Sequence, residues 1–448
     1  MTLAFEKDET HPMVDALLRT RVPRWRELNR AVDERDDMLD FAMKLFHHDR
    51  DAAVTNYFQS ALDQFALVRH IASWRSASWR PGRPRRMLDF ASGYGRLTRL
   101  LVHEHLADEV TVSDILEGGM AFQAEQFGVR TILSRTDPAQ FAAPERYDLI
   151  FVASLFTHLP PVTFTSWLRR LAELLEPEGL LIFSVHDESL SPEKTVDGIS
   201  FESHSESRVL DVEEYGSTWV TESYVREQVA AIGPDSASDW ACVRLPRALS
   251  DWQDVYVISP APIANPKPRR VPKGFLEEPQ LLAEGIRIWG WATTIDAPPD
   301  RVEIRIEDDV VATTREFTLR ADVAAWFGVD SAAQSGWECV VPHTSVRSFR
   351  YQVATISAFS AEGDERILFL GTLDSLLGTV ARERAQALAR QVADRQHQIT
   401  ALREHLAASE HQRHLLVQQI AAMKQSRFWK MREQWFALKR AAGMTREQ

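Results

Sequence analysis

The segment Arg86–Leu101 reads RMLDFASGYGRLTRLL. An acid, Asp89, follows a short apolar run. Then come Ala91, Ser92, Gly93, Tyr94 and Gly95, and an amphipathic stretch begins at Arg96. These residues predict a strand, a tight turn and a helix start. Two glycines let the backbone approach a ligand closely, because neither carries a Cβ. The helix start offers unpaired N–H groups to the same ligand. Nineteen residues past Gly95, at the end of a second apolar run (Glu109–Asp114), stands Asp114. A carboxylate there can accept two hydrogen bonds from a ribose diol. Two histidines, His158 and His186, close later apolar runs. An imidazole in that position can take up a proton near neutral pH.

The elements that must position these residues follow in order. A third strand is expected within Gly128–Ser134, with Thr136 and Asp137 behind it. A fourth strand and its turn fill Tyr147–Leu159, which contains Ala153 and Ser154. A helix (Thr163–Leu175), a fifth strand (Leu180–Asp187) and a last helix (Thr221–Ala231) come next. Cys242–Leu245 and Asp254–Ile258 form a terminal strand pair. Strands that are almost wholly apolar, alternating with helices, argue for a parallel sheet buried on both faces. A dinucleotide fingerprint needs a third glycine three residues after the second. Thr98 stands there, which disfavours a nicotinamide-dependent oxidoreductase. A plain glycine turn between strand and helix is the bland alternative.

From Pro81 to Ser259 the acid, the Gly-x-Gly turn and the segments after it resemble class I S-adenosylmethionine (SAM)-dependent methyltransferases. Ala91 replaces the family's first glycine, a departure the turn is expected to absorb with φ negative at Ala91. The resemblance implies an α/β fold with a Rossmann-like seven-stranded sheet, and SAM as cofactor. It implies that Asp89 orients the glycine loop, with Ala91 and Tyr94 in it, and that Gly93 and Gly95 pass beneath the methionine part. Asp114 would bind the ribose. Ile115 and Asp137 would flank adenine with Thr136 beside them, and Ala153 and Ser154 would close the site from the fourth strand. His158 and His186 are the candidate catalytic bases. A histidine after a strand is as readily a capping or packing residue. Asp187 with His186 and Asp114 can in principle hold a divalent ion, but no spacing demands it and no metal is expected.

A chain of 448 residues needs two or three domains. With 44 % apolar and 26 % charged residues it has ordinary globular composition, and a net charge of −12 argues against nucleic-acid binding. Two cysteines, Cys242 and Cys339, exclude a disulfide framework and fit a reducing compartment. Neither a secretory leader nor an 18-residue apolar run is visible, so a cytoplasmic location is expected. Residues 1–80 read as a helical cap and 81–260 as the methyltransferase domain. In the cap, Arg21, Arg24, Trp25, Arg26, Trp74, Arg75, Trp79 and Arg80 read as core or as contacts to an anionic or sugar ligand. Residues 261–274, with five prolines and four basic residues in and around them, read as an extended linker.

Residues 275–373 switch to period-two alternation, as in Val302, Ile304 and Ile306, and predict a β-sandwich. The run Arg320–Gly328 followed by Ser335-Gly-Trp337 resembles a sandwich module appended to some bacterial glycan-processing transferases. Residues 374–424 predict a coiled coil. Leu388, Val392, Arg395, Ile399, Leu402, Leu406, Ser409, Arg413, Leu416, Ile420 and Met423 keep a four-three spacing, and a homo-oligomer through 381–423 is expected. Residues 425–448 form a basic, aromatic tail. Six Lys/Arg against one Glu between Lys424 and Arg440 suit the surface of an anionic membrane.

This architecture suggests O-methylation of a sugar on a membrane-linked surface glycan or a related acceptor, with glycosyltransferases as partners and no nucleic acid. The rivals are a small-molecule or lipid methyltransferase localised by its tail, and a catalytically silent scaffold working through its coiled coil.

Overall fold

The computed structural model describes residues 2–75, 83–191, 195, 197–203, 210–211, 213–232, 240–348, 351–425 and 427–441. It divides into two compact units, Met1–Leu373 and Asp374–Gln448. The first begins with a cap of short strands β1 (Leu3–Phe5) and β2 (Val32–Asp33) and helices α1 (Pro12–Arg21), α2 (Asp37–Leu45) and α3 (Arg50–Ser73). The carboxylates of Asp36 and Asp49 accept backbone N–H groups at the starts of α2 and α3, which fixes where each helix begins.

The central sheet follows the predicted alternation. β3 (Arg86–Phe90), α4 (Thr98–His103), β4 (Glu109–Asp114), α5 (Glu117–Phe127), β5 (Arg130–Leu133), β6 (Tyr147–Val152), α6 (Pro161–Glu173) and β7 (Leu175–Asp187) lead to short strands β8 (Ile199–Glu202) and β9 (Ser217–Val220). Helix α7 (Glu222–Ala230) and strands β10 (Ala241–Leu249) and β11 (Gln253–Ser259) complete it. The path β10-β11-β7-β6-β3-β4-β5 has the seven strands expected. Two more, β8 and β9, join beside the end of β7 and enlarge the sheet to nine. Strands β3 to β7 pair in parallel, and β11 and β10 turn antiparallel at one edge.

Alternation along β6 divides the core. Leu149 and Phe151 join Leu17, Val54, Phe58 and Leu62 of the cap, while Ile150 and Val152 join Trp167 and Leu171 of α6 and Val225 of α7. The sheet is therefore buried on both faces, as its apolar strands require. The strand order reverses at β3, with β4 on one side and β6 on the other. Open α/β sheets bind ligands at the carboxyl ends of the strands beside such a reversal.

The period-two region forms two antiparallel sheets. One holds β12 (Lys273–Leu276), β13 (Gln280–Leu281), β14 (Gly285–Thr293), β17 (Thr318–Leu319) and β18 (Gln334–Pro342). The other runs in the order β16 (Asp309–Thr314), β15 (Arg301–Ile306), β19 (Val353–Phe359) and β20 (Glu365–Thr372). Helix α8 (Ala321–Phe327) lies between β17 and β18 in the chain. Ile286, Ile288, Val302, Ile304, Ile306 and Ile356 are buried, as their alternation demands.

This module is fastened to the rest of its unit. Arg21 of the cap bonds Glu365 of β20 at 2.7 Å and Asp63 of α3 at 3.0 Å, and Arg366 reaches Asp251 at 2.6 Å. The proline-rich segment is no loose spacer either. Its Arg269 side chain and Arg270 N–H donate to Asp364, and the Lys267 carbonyl bonds His70. The second unit comprises α9 (Leu373–Gln425), whose first residue closes the first unit, and α10 (Arg427–Ala441).

Candidate active site

A cavity of about 830 Å³ opens at the carboxyl edge of β3, β4 and β6, beneath helix α2. Asp89, Ala91, Gly93, Tyr94, Asp114, Ile115, Thr136, Ala153, Ser154 and His158 all line it. The turn after β3 is held by a closed set of hydrogen bonds. Asp114 accepts the Gly93 N–H at 2.8 Å and the Leu116 N–H at 3.0 Å. Gln123 of α5 donates to the Gly93 carbonyl and to Ser92 Oγ, both at 2.9 Å. A carbonyl only accepts, so the Gln123 amide nitrogen must face Gly93 and its oxygen must face Thr98.

Thr98 links Asp89 to this chain. Thr98 Oγ1 lies 2.7 Å from Gln123 Oε1 and 2.9 Å from Asp89 Oδ2. Thr98 can donate its single hydrogen to only one of these two oxygens at a time, and a proton held on Asp89 satisfies the other contact. Burial drives this, pushing Asp89 up to about 7, and the neighbouring Asp114 charge adds to it. Burial also raises Asp114, against the amides that bond it.

Several expectations need correction. Ala91 has φ +58°, not a negative φ, so an alanine occupies the left-handed conformation that a glycine would adopt freely. Ser154, at the end of the adjacent strand β6, has the same φ. Its N–H donates to Ser184 Oγ and its hydroxyl to Gln253, which ties it into the sheet. Gly95 does not line the cavity. A Cβ there would lie 2.7 Å from the Phe127 ring and 2.8 Å from Gln123 Oε1, so this glycine permits α5 to pack. Asp137 is also outside the cavity, because its carboxylate caps the following turn by accepting from Ala139 N–H and the Gln140 side chain.

The two histidines separate. His158 Nδ1 lies 2.6 Å from the Gly216 carbonyl, and its ring stacks on Tyr215 at 4.5 Å. Nδ1 must donate to a carbonyl, which makes Nε2 the basic nitrogen of the ring. His186 does not line the cavity. Burial, reinforced by the charge of His158, lowers it to about 4, and its Nδ1 is buried without a hydrogen-bond partner. Asp187 is engaged by Arg244 at 2.7 Å.

Residues that the sequence patterns did not single out come from the cap. Asp36 is buried, accepts the Tyr57 hydroxyl at 2.6 Å and lines the cavity with Arg96. Met38, Phe41 and Leu45, spaced along one face of α2, are exposed toward the cavity they line. Neither Trp25 nor Trp74 reaches it. Trp25 is instead surrounded by the guanidinium groups of Arg19, Arg26 and Arg30. Trp79 and Arg80 lie outside the described residues. Heptad-like or strand-like periodicity carries no signal for a cap residue brought in by tertiary packing, so only the Asp36 helix cap was readable locally.

The cavity lining holds six acids and three bases. An excess of acids over Lys and Arg in the lining favours a cationic ligand. The volume sits in the upper part of the range for small-molecule sites, roughly 300–1,000 Å³. These features fit SAM, whose sulfonium and ammonium are positive and whose ribose needs a carboxylate.

Residues 62–233 match the family described as a methyltransferase domain. No curated protein matches the chain. Similar solved structures include a Burkholderia thailandensis 1,6-didemethyltoxoflavin N1-methyltransferase with bound S-adenosylhomocysteine. It is 19 % identical, with 49 % of this chain and 85 % of that one covered and a TM-score of 0.31. A plantazolicin methyltransferase in complex with S-adenosylhomocysteine is 13 % identical, with 50 % and 97 % covered and a TM-score of 0.33. A SAM-dependent methyltransferase from Clostridium acetobutylicum is 12 % identical, with 50 % and 97 % covered and a TM-score of 0.32. Residues 62–233 thus carry a methyltransferase domain.

The two loop glycines should fail differently. At Gly93, with φ +56° and nothing within 4 Å of a Cβ, alanine should cost about 1 kcal/mol of stability but at least tenfold in SAM affinity. Gly95→Ala should instead cost about 2–4 kcal/mol, read as a lower melting temperature. Reversed rankings in calorimetry and thermal denaturation would contradict these roles.

Asp89 makes stability depend on pH. Its unfolded form ionises near pH 4, whereas the folded form keeps the proton to about 7. Between these values the folded state binds more protons, so its contribution to stability falls as pH rises. Asp89→Asn should therefore match the wild type near pH 4 and exceed it by about 2–4 kcal/mol above pH 7 in ligand-free denaturation. Parallel stability curves across that window would show an ionised Asp89.

Proposed function

We propose that the enzyme O-methylates a hydroxyl of a sugar in a membrane-linked surface glycan or a related acceptor. The observation that carries this reading is His158, with its basic nitrogen set by the Gly216 carbonyl, in the same cavity as Gly93 and Asp114. A sugar hydroxyl is a weak acid, and a base that removes its proton lowers the barrier to its attack. Bound SAM supplies an electrophilic methyl group. Gly93 and Asp114 hold it, and Arg96, whose Nε is buried without a partner, suits its carboxylate. His158 Nε2 takes the acceptor proton, and Tyr215 holds the imidazole plane by stacking. Phe41 offers an exposed ring on which the C–H face of a sugar can lie.

A small apolar or aromatic molecule is the second reading, favoured by the Met38, Phe41 and Leu45 face of α2. Calorimetry with SAM, S-adenosylhomocysteine and NAD should give saturable binding of the first two alone. His158→Gln should keep that binding while reducing labelled-methyl transfer to glycan extracts by about 100-fold or more. Binding with no transfer to any glycan or small-molecule extract by the wild type would favour a silent scaffold.

The tail is the second element of this proposal. On α10 the side chains of Met431, Trp435, Phe436 and Leu438 are exposed, with Lys439 near the Trp435 ring and Arg432 near Phe436. Apolar and basic groups on one exposed helix suit an anionic bilayer surface. Among the described residues no helix is long and apolar enough to cross a membrane. The protein should sediment with vesicles containing anionic lipid, and Trp435→Ser with Phe436→Ser should abolish this. Equal binding to neutral vesicles would count against a basic contact.

A further inference from the structure

We infer that α9 is one strand of a parallel, in-register coiled coil formed with a second copy of this chain. The backbone is helical without a break from Leu373 to Gln425. Along it Ile399, Leu402, Leu406, Leu416, Ile420 and Met423 are 49–68 % exposed, although their spacing puts them on one seam. A solvated seam of this length is a face that another helix covers.

The order of residue types identifies that helix. Labelling the seam by its four-three spacing, every β-branched residue, Val392, Ile399 and Ile420, falls at a. Leu388, Leu402 and Leu416 fall at d, where no β-branched residue stands, and Leu406 is the one leucine at a. In a parallel pair, a residues face a residues and d residues face d, and the two layers have different geometry. β-Branched residues suit the first and leucine the second, and this combination favours two strands. In an antiparallel pair, a faces d, and the segregation would serve nothing.

A second copy also satisfies the polar positions. In register, each of the six exposed apolar seam residues meets its own counterpart, and none faces a polar group. Across the flanks, Gln398 approaches Arg403 of the other helix, His405 approaches Glu410, and Gln419 approaches Lys424, so no like charges meet. The exceptions are the Arg395 and Arg413 layers. There two guanidiniums face each other and must extend outward to water, which weakens the pair and opposes slippage of apolar residues into those layers. The interface is isologous and closes at two copies.

Sedimentation of the full chain should give a mass of twice 51.0 kDa. Orientation is read by cross-linking in a Cys242→Ser, Cys339→Ser background. Leu402→Cys alone should oxidise to a covalent dimer, because Leu402 faces itself only in the parallel register. Arg413→Leu should lower the dimer dissociation constant at least tenfold. A monomer or trimer by mass would overturn the inference. So would a dimer that cross-links only when Leu402→Cys is combined with Ile420→Cys, since that pair reports an antiparallel arrangement. An unchanged dissociation constant in Arg413→Leu would remove the facing arginine layer and with it the register.

Discussion

The glycine turn after β3 is shaped by one carboxylate and one amide. Asp114 holds the Gly93 N–H, and Gln123 holds the Gly93 carbonyl. Both backbone groups of Gly93 are thereby fixed before any ligand arrives. Everything else in the site leans on this. The turn sets where α4 begins, Gly95 lets α5 approach, and Gly119 of α5 passes so close to the Gly93 carbonyl that a Cβ would lie 2.4 Å from it. Preorganised donors of this kind avoid the cost of ordering a loop at each binding event.

The cap completes what the sheet begins. The sheet edge supplies polar groups such as Asp114 and Ser92, while α2 supplies a wall of Met38, Phe41 and Leu45. The two halves meet at Asp36, which starts α2, bonds Tyr57 of α3 and touches the cavity. A single buried acid thus couples that wall to the cap core. Acidic floor and apolar wall divide the cavity by chemistry.

Much of this was legible in residue types. The sheet strands and the terminal antiparallel pair follow from apolar runs and spacing, whereas the glycine turn expected to be oriented by Asp89 is held by Asp114. The misses have a common physical origin. Ala91 adopts positive φ because the surrounding bonds enforce it, and no residue name reports a torsion. Asp137 satisfies its own turn, a local bond that competes with ligand contact and depends on the residues after it. Gly95 was read as making room for a ligand when it makes room for Phe127, which lies 32 positions later. The wall on α2 required knowing how the cap sits on the sheet.

The proline-rich segment has a mechanical meaning. Chains of this composition usually separate folded parts and leave them to reorient independently. Here its side chains and carbonyls are bonded to Asp364, just before β20, on one side and to His70 of α3 on the other. Arg21 closes the same circuit from the cap. The segment therefore acts as a strut rather than a hinge. Heat or denaturant that loosens the cap must also release the β-sheet module, and the first unit should come apart in one cooperative event instead of shedding its parts in turn.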